Sequence, residues 1–117
     1  MSPDDRRRQV ATAVDLFNSG EYWLAHEALE TVWRSIMRDH PDEALVWQGL
    51  IQACAALFHL KRGNRHGVVK LGAGALEKLG GAQRSEVEVD TVAFRARLAR
   101  TLAGEGDPPR MDLRSDG

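Results

Sequence analysis

The sequence predicts an all-α fold: a single-domain bundle of about five helices in antiparallel hairpins. Three observations predict it. Apolar residues recur at helical spacings rather than in strict alternation. The breaks between these stretches are short and carry Gly, Pro or Asn. One stretch, residues 44–60, holds no Asp, Glu, Lys or Arg at all, as a central helix would.

The first helix opens at Ser2-Pro3-Asp4-Asp5, which supplies an N-cap, a first-turn proline and carboxylates at the positive end of the helix dipole. Val10, Val14 and Phe17 share a face, and Asn18-Ser19-Gly20 ends the helix. The pattern restarts at Tyr22, where Ala25, Leu29, Val32, Trp33 and Ile36 form a broad apolar sector. A break this short forces the two helices into an antiparallel hairpin. His40-Pro41-Asp42-Glu43 closes the second helix and starts the third.

The third helix, about residues 43–61, is expected to be buried almost completely, with Cys54 out of reach of thiol reagents. It carries Gln48, Gln52 and His59, too many polar groups and too few residues for a membrane span. Lys61-Arg62-Gly63-Asn64 gives it basic residues and a glycine at its C-terminus. The fourth helix, about Arg65 to Leu79, contains Gly72 and Gly74, which suit a close approach to a neighbour. Residues 82–89 read as a linker, and Asp90 caps a fifth helix with Phe94, Leu98 and Leu102 on one face. The domain is expected over residues 1–103, with the Gly- and Pro-containing residues 104–117 as a disordered tail.

Composition narrows the function classes. A chain of 117 residues is long enough to build a core without metal or disulfide staples. Sixteen Lys and Arg against seventeen Asp and Glu leave a formal net charge of -1, which disfavours nucleic acid as a partner. The single cysteine excludes an internal disulfide and fits a reducing compartment. Arg6-Arg7-Arg8 is followed by no apolar run, so no secretory signal is expected, and a cytoplasmic location is.

The chemistry-bearing residues lie on two helices. His26 and Glu30 sit one turn apart at the edge of the sector that holds Trp33, with Arg34 one further turn from Glu30. Gln48, Gln52 and His59 fall in one stripe of the third helix. A buried polar group without a partner costs on the order of 1 to 3 kcal/mol, so these side chains are expected to pair in a network that sets helix register. The competing chemistry is a divalent metal held by His26, Glu30 and His59, with Glu27 as a candidate catalytic base. Asn64 either caps the fourth helix or joins His59. Arg6, Arg7 and Arg8 read as a solvated helix face beside Asp4 and Asp5.

Four ordered motifs carry a resemblance: Phe17-Asn18-x-Gly20-x-Tyr22, His26-Glu27-x-x-Glu30-x-x-Trp33-Arg34, Gln48-Gly49-Leu50-Ile51-Gln52, and His59-x-x-x-Gly63-Asn64. From about Ala11 to Leu79 the sequence resembles the small prokaryotic domain-of-unknown-function family numbered 309. Trp23-Leu24 departs from its pattern, in which an acidic or aromatic residue is more usual. The resemblance implies an all-α bundle of hairpins and makes His26, Glu27, Glu30, Trp33, Arg34, Gln48, Gln52 and His59 signature positions. It implies no activity.

The residues therefore favour a non-enzymatic interaction or scaffolding module, with no cofactor, whose partner is a protein, a peptide or a small ligand. The alternative is a metal-assisted, hydrolase-like enzyme using His26, Glu30 and His59. An RNA-binding accessory role would rest on the arginine run alone. No membrane partner is expected, and a homo-oligomer stays open.

Overall fold

The local signals become five helices. In the computed structural model, which describes residues 1–81 and 85–115, α1 runs Pro3–Asn18, α2 Tyr22–Ile36, α3 Pro41–Lys61, α4 Arg65–Leu79 and α5 Thr91–Leu102. The caps are those the residue types favour. The Ser2 hydroxyl accepts from the Asp5 N–H at 3.1 Å, the Asn64 carbonyl from the Gly67 N–H at 3.2 Å, and the Asp90 carboxylate from the Ala93 N–H at 3.1 Å. Gly20 (φ +82°) and Gly63 (φ +74°) take the left-handed conformation just beyond α1 and α3, where a side chain would be strained.

Helix α3 is the middle of the molecule. α2 packs on one flank and α4 on the other, α1 lies against α2, and α5 lies against α4. An edge-to-face contact between Phe17 and Phe94, with ring centroids 5.4 Å apart, joins α1 to α5. Phe17, Leu29, Trp47, Leu50, Phe94 and Leu98 are almost fully buried, each contributing roughly 1.5–3 kcal/mol of transfer free energy or more. Cys54 is 0% exposed, and burial pushes its thiol well above its ordinary range; it is neither a nucleophile nor a target for thiol reagents in the folded chain. No helix among the described residues is long and apolar enough to cross a membrane.

Three expectations are corrected. α3 is central but not wholly buried: Gln48, Ile51, Gln52, Ala55, Phe58 and His59 are half-buried, and Leu45 and Leu60 are exposed. A charge-free helix reads as covered all round, yet the sector between α2 and α4 is left open. Arg6 is not part of a solvated face. Its guanidinium makes a forked pair with Glu88, at 2.6 and 2.9 Å, reaches Glu43 at 3.0 Å, and lies 5.5 Å from the centroid of the Trp47 ring. Only Arg7 and Arg8 keep to their local partners, Asp4 and Asp5.

The third correction concerns the C-terminal segment, expected to be a disordered tail. Residues 110–114 return along residues 88–90: Val89 and Leu113 form an isolated antiparallel bridge, the Asp90 N–H donates to the Asp112 carbonyl at 2.9 Å and the Arg114 N–H to the Glu88 carbonyl at 2.7 Å. Met111 is 0% exposed, and the Asn18 side chain both donates to its carbonyl and accepts from its N–H. An apolar side chain with a polar clamp on its own backbone is what orders this stretch. Of the expected linker, residues 82–84 lie outside the described residues; Val87 and Val89 beyond them join the core.

Candidate functional site

The open sector of α3 is the floor of a shallow groove walled by α2 and α4. Glu30 and Trp33 come from α2, Gln48, Ile51 and Gln52 from α3 and Lys78 from α4, around a volume of about 410 Å³. Helical spacing puts these residues in line: Glu30 and Trp33 are three apart, Gln48, Ile51 and Gln52 span one turn. The α4 wall comes close because it lacks side chains where it crosses the stripe. A Cβ on Gly67 would lie 2.7 Å from the His59 ring, and one on Gly74 would lie 2.8 Å from the Gln52 Oε1.

The polar groups are largely committed to one another. His26 Nε2 lies 2.9 Å from Glu30 Oε1, and the Arg34 guanidinium donates to Glu30 Oε2 at 2.8 Å. Lys78 Nζ donates to the Gln52 Oε1 at 3.1 Å. Pairing with a carboxylate gives Nε2 the donor role, and His26 Nδ1 is buried with no partner among the described residues. Trp33 Nε1 is likewise buried and unpartnered among the described residues. The face of the His26 ring stacks on Trp23, centroids 4.7 Å apart at an interplanar angle of 15°. Trp23 in turn leans on Phe58 at 5.2 Å.

The expected cluster is thus split. His26, Glu30 and Arg34 come together, and Trp33, Gln48 and Gln52 share the groove with Glu30. His59 belongs to a different pair: its Nδ1 lies 3.1 Å from Asn64 Nδ2. Because the Asn64 oxygen is taken by the Gly67 N–H, its amide nitrogen faces the ring, so Nδ1 accepts. Asn64 therefore does both things expected of it, capping α4 and holding His59. Glu27, the candidate base, is exposed on α2, and what engages it is its backbone carbonyl, accepting from the Thr31 hydroxyl at 3.3 Å. Among the described residues no three His, Cys, Asp or Glu are placed to hold a metal ion.

The groove also contains residues that the sequence reading passed over. Lys78 has no sequence signal of its own, and Ile51 stands in the Gln48–Gln52 motif only as an apolar residue; the α2–α3–α4 crossing gives them their place. Trp23 stacking on His26 had a signal, since the two are three apart on one helix.

The His26–Glu30 pair makes a prediction. Replacing His26 with Ala removes a partner of Glu30 and the ring under Trp23, and the fold is expected to lose about 1–3 kcal/mol. The two side chains are 17% and 27% exposed, so the lower half of that interval is expected. Denaturant unfolding of the variant measures it, and an unchanged midpoint would mean that the pair contributes nothing to stability.

No protein of curated function matches the chain. The model of a family described as a domain of unknown function, DUF309, matches residues 10–71. That span runs from within α1 to within α4 and carries Glu30, Trp33, Gln48, Ile51 and Gln52, the α2 and α3 parts of the groove. On that match the chain belongs to the DUF309 family of domains of unknown function.

Proposed function

We propose that this chain is a non-enzymatic interaction module that holds a peptide segment in the groove between α2 and α4. One observation carries the reading: Gln48 and Gln52 are half-exposed on the floor of a groove, in a helix stretch otherwise without charge. A glutamine amide offers a donor and an acceptor on the same short group, as a peptide bond does, and so pairs with the main chain of an extended segment. Ile51 between them and Trp33 on the wall supply apolar contact for a side chain. The carboxylate of Glu30 is held by His26 and Arg34 and the Gln52 Oε1 by Lys78, which fixes the walls and leaves the Gln52 amide N–H groups to donate to a bound segment.

Panning a displayed random-peptide library against the whole chain tests this. Enriched peptides are expected to change the tryptophan fluorescence of the chain and to lose about tenfold in affinity when Gln48 and Gln52 are both replaced by Ala. Peptides that bind the double variant as well as the parent would place the binding surface elsewhere and sink the reading. Both glutamines are partly solvated, so the variant is expected to stay folded, which circular dichroism checks.

A further inference from the structure

The cations of this protein are unevenly matched. Around α1, α5 and the C-terminal segment several meet carboxylates, Arg6 with Glu43 and Glu88, Arg97 with Asp112 and Arg114 with Glu86, while Arg95 donates to the Leu76 carbonyl. The turn between α3 and α4 is different. Residues 44–76 contain no Asp or Glu; of their four formal cations, Lys61, Arg62 and Arg65 lie at the α3–α4 turn and Lys70 in the second turn of α4. All four are exposed. Lys61 is engaged by the Gly20 carbonyl at 3.2 Å and Arg62 by the Phe58 ring at 5.3 Å, neither of which neutralises charge; Arg65 and Lys70 make no ion pair among the described residues. On the facing end of α5 the nearest carboxylate in chain order, Glu105, turns to Arg100 at 4.0 Å.

Beside these cations lies a second groove, of about 350 Å³, between the end of α3, the start of α4 and the end of α5. Leu60, Val68, Val69 and Leu102 line it, with Arg65 on its edge. Leu60 is 47% and Val69 67% exposed, so two aliphatic side chains of one groove stand open to solvent. Arg65 and Val69 are one helical turn apart and both line the groove, so charge and apolar surface share one face at this end of α4.

We propose that this end docks an acidic amphipathic helix of a partner protein, with an apolar side chain in the Leu60–Val69 groove and a carboxylate on Arg65 at its edge, the exposed Arg62 and Lys70 nearby adding to the positive field. The complementarity is of both kinds that such a segment offers: an aliphatic concavity for its apolar face, and unpaired cations for its charged one. The aliphatic floor decides against a nucleic-acid strand, whose bases bind on aromatic platforms. Its concavity decides against a bilayer, which offers a broad surface and not a single projecting side chain. This surface is separate from the groove between α2 and α4 and does not depend on the role given to that groove.

The test uses the full chain and two labelled helical peptides with the same leucine pattern, one with glutamate and one with lysine on the polar face, followed by fluorescence anisotropy at low salt. The acidic peptide is expected to bind about tenfold or more tightly than the basic one, and to weaken as salt is raised. The exposed double substitution Arg65→Glu with Lys70→Glu is expected to abolish that preference, and Val69→Asp to weaken binding about tenfold, with unchanged circular dichroism in both. Equal binding of the two peptides, or an acidic peptide that ignores both variants, would overturn the proposal. So would tighter binding of a single-stranded oligonucleotide, or of phosphatidylglycerol vesicles, than of the acidic peptide. The Gln48/Gln52 double variant should leave this binding untouched, which separates its failure from that of the peptide groove.

Discussion

Ending the chain after Ala103 is expected to destabilise the fold by about 3–5 kcal/mol, and by more than any single surface substitution. The removed segment carries Met111, which is 0% exposed; losing a buried Met side chain alone costs roughly 2–5 kcal/mol, depending on how far the surroundings collapse. Asn18 loses both of its bonds to the Met111 backbone, at 2.8 and 2.9 Å, and a part-buried amide left unpaired costs on the order of 1 kcal/mol more. Val89, 1% exposed, loses the bridge partner beside it. The ion pairs of Asp112 with Arg97 and Arg110 are solvent-facing and add little. Denaturant unfolding of the truncated chain measures the total, and Met111→Ala in the full chain isolates the apolar part. A truncated chain within about 0.5 kcal/mol of the parent would show that the segment merely rests on the bundle.

Why this segment misled the sequence reading, while the helices did not, is a matter of range. Ser2, Gly20, Pro41, Gly63-Asn64 and Asp90 act on groups within a few residues of themselves, so a cap or a break is readable from its neighbours. Met111 is ordered by Asn18, 93 positions earlier, and the Gly and Pro around it are local signals of irregular chain only. Arg6 fails for the same reason: Asp4 and Asp5 are its neighbours, but Glu43 and Glu88 are its partners.

The site divides along the same line. The pair of His26 and Glu30 is a one-turn spacing and was legible. That His59 pairs with Asn64 rather than meeting Glu30 depended on a helix crossing that periodicity does not specify, although Asn64 stands only five positions away. The exposure of Gln48 and Gln52 is the least legible feature. A helix with apolar residues all round gives no sign of which sector its neighbours leave uncovered.

Trp47→Ala is the second large effect, with an expected loss of about 3–5 kcal/mol. Trp47 is 0% exposed, so its removal leaves a void in a region where the chain is continuous and cannot easily collapse. The ring also organises charge. Its Nε1 donates to Glu43 Oε2 at 3.3 Å, the Arg6 guanidinium lies 5.5 Å from its centroid, and Arg6 joins Glu43 to Glu88. One side chain thus ties α1, α3 and the segment before α5. Trp47→Phe keeps most of the apolar volume and loses the N–H, so it is expected to cost roughly 1–2 kcal/mol and to separate the two contributions. The arrangement makes the effects non-additive: with Arg6 already replaced by Ala, Trp47→Ala is expected to cost less than in the parent, by about 0.5–1 kcal/mol, the part carried by the cation over the ring. Chemical denaturation of the two single variants and the double closes the cycle. Strict additivity would mean that Arg6 and Trp47 stabilise the fold independently, and that the contact between them carries no energy of its own.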